Sequence, residues 1–200
     1  PFLAAAPTFV EDAATPGLVR RVVASPAPVG IVEIEAIRRL LALDSAPSSQ
    51  SSSPDSCVGP VICGGGGGVP VVARGGSTGL DAVDAVIDKD ATSLLLASLL
   101  GASALLLLTD AEALYDPGDW EASRREERRP EAVPSPASPG EVEALLPLLP
   151  EGSMRPKAAA AARAAREGIV AGIGSLQDAA EILMGTKGTL VVPTRGGGGG

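Results

Sequence analysis

The stretch Val86-Ile87-Asp88-Lys89-Asp90 indicates both the fold of this chain and the place where its chemistry lies. Three charged residues stand side by side there, directly before residues 91–108, which carry no charge at all. Gly101 and several serines divide this uncharged run, so we expect a helix over 88–100 and a fully buried strand over 104–108 rather than a membrane span. Packing does not explain charges at the mouth of such a segment, and they point to the handling of an anion.

The composition is that of a folded, acidic chain with an aliphatic core. Its 200 residues suit one domain, 45% of them are hydrophobic, and only 2% are aromatic. The formal net charge of -8 argues against a nucleic-acid-binding surface, which needs clustered basic residues. The one basic cluster, residues 124–129, is diluted by Glu126 and Glu127, so we expect a solvated loop or helix end there. We therefore expect neither a nucleic-acid partner nor a membrane.

Histidine is absent from the sequence, and its absence excludes several classes of active site. There can be no Ser-His-Asp triad, no Cys-His pair and no HExxH zinc site. Cys57 and Cys63 form no CxxC pair, so a reduced, cytoplasmic setting is the simplest interpretation, and we assign no residue to a protein-bound metal. Because the chain begins at Pro1 without an initiator methionine or a basic flank, we expect a fragment or processed product without a signal peptide.

Strands and helices are predicted to alternate along the chain. The predicted strands cover residues 20–23, 58–63, 69–73, 104–108, 169–173 and 190–192. The predicted helices cover residues 31–43, 88–100, 141–149, 154–167 and 176–184. This alternation is typical of an α/β fold, here a three-layer α/β/α sandwich around a mostly parallel sheet. The remaining predictions are loop with at most a short helical turn over 1–19, a Ser/Pro-rich insertion over 44–57, a polar excursion over 116–140 and a Gly-rich tail over 194–200.

Ligands of such sheets bind at the carboxyl ends of the strands. Here those ends are the glycine run 64–68, Thr109 with Asp110, and Gly174 with Ser175. Glycine amides can approach an anion closely because no Cβ stands in the way, although a plain flexible turn is the alternative interpretation of the run.

Two predicted helix entrances carry a lysine. Lys89 and Asp90 open one helix, and Lys157 ends the entrance Gly152-Ser153-Met154-Arg155-Pro156-Lys157 of another. A lysine is electrostatically misplaced at a helix N-terminus unless an anionic ligand binds there. The alternatives are an exposed charge pair at Lys89 and a tolerated surface lysine at Lys157. Tyr115, the only tyrosine, lies at the same edge of the predicted sheet, where a purine or merely its own loop could pack against it.

Several short segments then follow one another in a characteristic order. They are Arg20-Arg21-Val22-Val23 with Ser25-Pro26, Gly30-Ile31-Val32-Glu33, Gly64-Gly65-Gly66-Gly67, Val69-Pro70-Val71, Asp84-Ala85-Val86-Ile87-Asp88-Lys89-Asp90, Leu108-Thr109-Asp110 with Leu114-Tyr115, Gly152-Ser153-Met154 with Pro156-Lys157, and Gly188-Thr189 before Pro193. In this order the segments resemble the carbamate kinases, members of the amino-acid kinase family. The run Ala-Val-Ile-Asp-Lys-Asp is specific to carbamate kinases within that family, and the similarity covers residues 1–193.

The resemblance implies a phosphotransferase that converts ATP and carbamate to ADP and carbamoyl phosphate, often in the ATP-forming direction. It implies that Lys89 and Lys157 neutralise the transferring phosphoryl group and that Asp90 positions these lysines. The glycine loop, Gly64, Gly65, Gly66 and Gly67, would border the carbamate. The implied nucleotide-binding residues are Thr109, Asp110, Leu114, Tyr115, Ser153 and Met154. ATP or ADP with Mg²⁺, carbamate or carbamoyl phosphate, a homodimer and a place in arginine metabolism follow from the same resemblance.

The sequence also departs from the family pattern. The Gly-Gly-Asn, His-Gly-Asn-Gly-Pro and Pro-Thr-Lys-Pro segments of the family are missing, so we expect a carboxyl-terminal portion that is incomplete at its amino terminus. Residues 1–30 would be a remnant of the amino-terminal lobe and residues 31–193 the nucleotide-binding lobe. Such a chain would turn over little by itself, and a catalytically inactive nucleotide-binding module is the alternative. Arg155 stands where the family has glycine, which would place a bulky cation near the nucleotide.

Overall fold

The computed structural model describes residues 8–11, 15–44, 60–75 and 79–194. Its strands are β1 (Thr8–Glu11), β2 (Val19–Val22), β3 (Val71–Ala73), β4 (Leu80–Ala82), β5 (Ala104–Thr109), β6 (Val170–Ser175) and β7 (Thr189–Val191). Its α-helices are α1 (Ile34–Asp44), α2 (Lys89–Leu100), α3 (Pro117–Arg125), α4 (Pro139–Leu145), α5 (Met154–Arg166) and α6 (Ala179–Leu183). Single 3₁₀ turns follow α4 and precede α6, at Leu146–Leu148 and Leu176–Asp178.

The central sheet has the strand order β5-β6-β7. β5 and β6 are parallel over six residues each, whereas β7 returns antiparallel to β6. Two antiparallel pairs, β1 with β2 and β3 with β4, stand apart from this sheet. The α/β fold is thus confirmed, and its described sheet is mixed rather than mostly parallel.

Alternating residues of β6 divide the central sheet into two faces. Ala171 and Ile173 point into the main core, which also contains the buried alanines of α5 and residues of α2 and α4. Gly172 and Gly174 point to the other face, where α6 lies so close that a Cβ on Gly174 would come within 2.7 Å of the Ile182 side chain. Helices therefore cover both faces of the sheet, which is the predicted three-layer arrangement.

Local sequence explains where the two helices that frame the candidate site begin and end. Asp88 caps α2 by accepting hydrogen bonds from the backbone N–H groups of Asp90 and Ala91, both at 2.9 Å. Gly101, with a φ of 65°, ends α2 in the left-handed conformation that favours glycine. α5 is rich in alanine, the best helix former, and its chain then turns at Gly168, with a φ of 87°, into β6. Tight turns connect the end of α2 to the start of β5 and the end of α5 to the start of β6. Each helix therefore runs antiparallel to the strand that follows it, and both helices begin at the carboxyl edge of the sheet.

Most predicted elements are confirmed with small shifts of their ends, but three predictions of secondary structure were wrong. Residues 8–11 form β1, since pairing with β2 overrides their loop-like sequence. Residues 60–63, the described part of the strand predicted over 58–63, are irregular, because Pro60 cannot donate a ladder hydrogen bond and glycines follow. The polar excursion contains α3, which Asp116 caps and in which Pro117 takes the first position.

Other predictions fall partly or wholly outside the described residues. Residues 45–57 of the Ser/Pro-rich insertion and residues 195–200 of the glycine tail lie outside them.

The basic cluster 124–129 is the exposed end of α3 and the turn after it, as predicted. Among the helices of the described residues, none combines the length and the apolar character that crossing a membrane requires.

Candidate functional site

The glycine loop is pressed against the start of α2. The Gly67 N–H donates to the Gly64 carbonyl oxygen at 2.9 Å and closes a tight turn. Gly67 has a φ of 126°, and a Cβ there would overlap the carbonyl oxygen of Ile87 and lie 3.0 Å from its carbonyl carbon. Glycine at this position is therefore required both by backbone conformation and by close approach. The loop and Lys89 together line a small cleft of about 40 Å³.

A buried ion pair joins the first turns of α2 and α5. The Lys157 Nζ lies 3.1 Å from Asp90 Oδ2 and 3.3 Å from Asp90 Oδ1, so the ammonium group donates to both carboxylate oxygens. The two side chains are only 9% and 7% exposed. Desolvating two charges costs several kcal/mol per ion, and the mutual attraction of a buried pair often does no more than repay that cost. Stability alone is therefore a weak reason for this pair.

Lys157 is the fourth residue of α5, within the turn where the helix dipole disfavours a positive charge. Asp90 lies in the first turn of α2, where a negative charge is favoured. The pair thus combines one favourable and one unfavourable helix position. A bound anion beside the N-terminus of α5 would offset the unfavourable interaction between the helix dipole and the positive charge of Lys157.

Lys89 differs from Lys157 in its surroundings. Its side chain is exposed and makes no ion pair or hydrogen bond within the described ranges 8–11, 15–44, 60–75 and 79–194. Among the described residues Asp90 pairs with Lys157, and no hydrogen bond or ion pair joins it to Lys89, so its positioning of the two lysines stays a prediction. Lys89 is free to neutralise an anion that enters beside the glycine loop.

The carboxyl end of β5 places another charge near the pair. The Thr109 hydroxyl donates to Asp110 Oδ1 at 2.9 Å. This hydrogen bond is the main cause that lowers the pKa of Asp110, and the positive charge of Lys157 contributes to the same shift. Asp110 is therefore an exposed, ionised carboxylate at the edge of the sheet where α2 and α5 begin.

A larger cavity of about 520 Å³ lies at the same edge of the sheet, towards α6 and the start of β7. Its walls include Tyr115 and two ion pairs, one between Glu112 and Arg129 and one between Asp178 and Lys187. The hydrogen bond that the Lys187 ammonium donates to Asp178 is the main cause that raises the pKa of Lys187. Tyr115 is the aromatic residue of the cavity wall, and its ring lies 5.6 Å from that of Trp120.

The chain matches no family model. It is 37% identical over 174 residues to a carbamate kinase of Escherichia coli, a match of 86% of this chain and 49% of that protein. It is 39% identical over 176 residues to a carbamate kinase of Halobacterium salinarum, covering 87% of this chain and 50% of the relative. The solved carbamate kinase from Giardia lamblia bound to AMP-PNP superposes with a TM-score of 0.72 at 30% identity, over 94% of this chain and 52% of that one.

The chain is a carbamate kinase homologue. It spans about half the length of the curated relatives that it matches. A solved structure from Aeropyrum pernix, 35% identical with a TM-score of 0.73, also covers 94% of this chain and shows the same extent, at 53% of its own length.

The residues that the carbamate kinase resemblance assigns to the nucleotide are not gathered in one cavity. Tyr115 lines the large cavity, and Leu114 is fully buried beneath it, where its N–H donates to the Thr189 hydroxyl at 3.1 Å. Ser153 is exposed and gives α5 no side-chain cap, whereas Met154 packs against the main core. The assigned roles stay proposals.

Arg155, which the resemblance places at a family glycine, makes its hydrogen bonds and its ion pair within the chain. Its guanidinium donates to the carbonyl oxygens of Leu149 at 2.9 Å and Pro147 at 3.3 Å, and it pairs with Glu151 at 2.8 Å. These bonds fasten the start of α5 to the segment after α4. The Arg155 guanidinium, which we expected beside the nucleotide, therefore binds two backbone carbonyl oxygens and one side chain of its own chain.

Sequence reasoning did not predict the structural roles of three polar residues that build this site. They are Asp88 as the cap of α2, Thr92 as a contact of the glycine loop, and Thr189 as the partner of Leu114. Asp88 carries a recognisable signal, since an aspartate before a helical pattern is a preferred cap. The other two make contacts across 25 and 75 residues of sequence, and no local pattern signals them.

Proposed function

We propose that this chain forms the phosphoryl-transfer corner and the nucleotide site of a carbamate kinase, which interconverts ATP and carbamate with ADP and carbamoyl phosphate. The single observation that carries this proposal is the buried pair of Lys157 and Asp90 between the first turns of α2 and α5. The similarity to carbamate kinases suggests the reaction, and the charges at this corner suit a reaction on a phosphoryl group.

Three sources of positive potential converge at this corner. They are the Lys157 ammonium, the exposed Lys89 ammonium and the N-terminus of α5, which has no side-chain cap. Phosphoryl transfer is catalysed mainly by positioning and by neutralising charge on the transferring group, and it needs little covalent chemistry from the protein. In this proposal Asp90 holds the Lys157 ammonium in place, Lys89 meets the phosphoryl group from the glycine-loop side, and no histidine is required.

We propose that the nucleotide lies along the same edge, with its base in the cavity beside Tyr115. One similar structure is a carbamate kinase bound to AMP-PNP. The cavity volume of about 520 Å³ falls in the range of about 300–1,000 Å³ that is usual for small-molecule sites. The tyrosine ring offers a flat apolar surface of the kind on which a purine can stack.

Mg²⁺ would reach this site with the nucleotide rather than through a protein cage. Within residues 8–11, 15–44, 60–75 and 79–194, no three acidic or cysteine side chains cluster as metal ligands. Mg²⁺ bound to nucleotides typically takes one or two carboxylates together with phosphate oxygens, and the ionised Asp110 fits that requirement. When bound, the metal would supply neutralisation of phosphate charge.

The test is ATP formation from ADP, Mg²⁺ and carbamoyl phosphate by the purified chain, measured with a coupled luminescent assay. Lys89→Ala and Lys157→Met should each lower ATP formation by at least 100-fold, because charge-stabilising groups are commonly worth that much. Arg163→Ala is the matched control, since Arg163 lies on α5 and is exposed. Activity that survives both lysine substitutions would refute the assigned roles.

A second candidate is a nucleotide-binding module that does not transfer phosphate. It is favoured by the fact that the chain spans about half the length of its relatives. Trp120 is the only tryptophan and its ring lies 5.6 Å from that of Tyr115, so its fluorescence should report ADP binding. Saturable quenching by ADP without ATP formation would support the module, and absence of both would refute both candidates.

The resemblance also supports proposals about the setting of this activity. We propose that the protein forms a homodimer, works in the cytoplasm and takes part in arginine metabolism. Light scattering coupled to size-exclusion chromatography tests the first of these, with a mass of twice 19.8 kDa as the expected result for this chain.

A further inference from the structure

The glycine loop touches α2 through one polar contact in the part of the chain that the structure describes. The Thr92 hydroxyl lies 3.0 Å from the carbonyl oxygen of Gly67 and 3.0 Å from that of Asp88. The contact between Gly67 and the Ile87 peptide sets how closely the loop can approach, but steric contact alone does not hold it there. The Thr92 hydroxyl offers a directional bond between the loop and the helix.

The Thr92 hydroxyl is available for this purpose. A threonine within a helix often donates back to the carbonyl oxygen four residues earlier. Here the Asp88 carbonyl already accepts the Thr92 N–H at 3.0 Å, so it keeps a partner when the hydroxyl proton turns to Gly67. Donation to Gly67 therefore satisfies the loop carbonyl without leaving the helix carbonyl unpaired.

Thr92 also shares a helix face with Lys89, because residues three apart on a helix are neighbours. Both side chains line the cleft of about 40 Å³ that Gly64, Gly65 and Gly67 close from the other side. The position of the loop over Thr92 thus fixes the distance between the loop amides and the Lys89 ammonium. An anion can bind the loop amides and the Lys89 ammonium together only when the distance between them stays constant.

We infer that Thr92 is a positioning residue, whose hydroxyl holds the glycine loop over Lys89 so that both engage the phosphoryl group of carbamoyl phosphate. This inference rests on the proposed function and assigns a role to a residue outside the lysine and aspartate set. Thr92 itself touches no reacting atom.

The test uses Cys63, which precedes the loop, is exposed and lines the same cleft. In a Cys57→Ser background it is the only thiol, and its rate of reaction with Ellman's reagent reports how the loop is held. Thr92→Val removes the hydroxyl at nearly the same shape, whereas Thr92→Ser keeps it. Without ligand, we expect Thr92→Val to change the Cys63 rate roughly 3- to 10-fold, the effect of one lost hydrogen bond, and Thr92→Ser to restore the parent rate.

The second arm measures protection of Cys63 by carbamoyl phosphate. The parent and Thr92→Ser should be protected at similar concentrations, and Thr92→Val should need roughly 3- to 10-fold more. Equal rates and equal protection in all three proteins would overturn the inference. A rate change in Thr92→Val without protection of the parent would support the positioning of the loop and refute the proposed function instead. Thermal unfolding of all variants, followed by circular dichroism, separates loop release from loss of the fold.

Discussion

Breaking the buried pair should destabilise the chain far more than removing it. At 3.1 Å, the attraction between the charges of Lys157 and Asp90 is about 5 kcal/mol for an effective dielectric constant of about 20. Asp90→Asn leaves the Lys157 ammonium buried without a counter-charge, and Lys157→Met does the same to the carboxylate. Each single substitution should therefore cost about 3–5 kcal/mol of the free energy of unfolding.

The double variant Asp90→Asn/Lys157→Met buries no charge at this position. Its loss of stability should be about 0–2 kcal/mol, smaller than either single loss and far below their sum. The helix-dipole term of Asp90 is lost in the single and the double variant alike, so it cancels in this cycle. If the pair serves phosphoryl transfer, the double variant should recover stability but not ATP formation.

The assay is equilibrium unfolding in urea, followed by far-ultraviolet circular dichroism and by Trp120 fluorescence. Lys187→Met is the control for the lysine substitution, because Lys187 pairs with Asp178 at the surface with 52% of its side chain exposed, where such a pair is worth at most about 1 kcal/mol. Single losses below about 1 kcal/mol, or strict additivity of the two, would refute the interpretation of a buried, coupled pair.

Three further predictions concern the loop, the cavity wall and the excursion. Gly67→Ala should abolish protection of Cys63 by carbamoyl phosphate, because its Cβ would overlap the backbone of Ile87. Thr189→Val should cost about 1–3 kcal/mol in urea unfolding and weaken ADP binding, since it strips the buried Leu114 N–H of its acceptor. The hydrogen bond from Arg128 lowers the pKa of Asp119 to about 2, so Asp119 stabilises the fold above pH 4 and loses this effect as the pH falls towards 2. Asp119→Asn should flatten that part of an acid titration of Trp120 fluorescence.

Each of these predictions has a matched control. Gly140→Ala should behave as the parent, because Gly140 lies in α4 outside the loop, a Cβ there meets nothing within 4 Å, and its φ is not in the left-handed region. Thr186→Val removes an exposed hydroxyl and should change stability by less than about 0.5 kcal/mol. Glu121→Gln changes an exposed acid on the same helix as Asp119 and should leave the acid titration unchanged. Effects in the controls equal to those in the test variants would contradict the structural reasons given.

The sequence predicted the elements that follow from local patterns. The helix α2, the strand β5 and the alanine-rich α5 carry a strong local pattern, a cap or a glycine stop, and each was found within one or two residues of its predicted bounds. The predicted full burial of β5 was wrong, since only Leu105 and Leu107 are buried and Ala104 is exposed. β1 was missed because its stability comes from pairing with β2 and not from its own composition. The antiparallel β7 was not distinguished from a parallel strand, since strand direction depends on the connection before it and not on the strand itself.

The candidate site was predictable as a set of residues but not as an arrangement. Helix-start patterns placed Lys89, Asp90 and Lys157 at one edge of the sheet, yet they did not say which lysine Asp90 would hold. That choice is made across 67 residues of sequence by the packing of α2 against α5. The buried side chains of α5 are mostly alanines, and the distance between packed helices falls as the side chains between them become smaller. The alanines therefore take part in building the site although they carry no chemistry, because a larger side chain there would move Lys157 out of reach of Asp90.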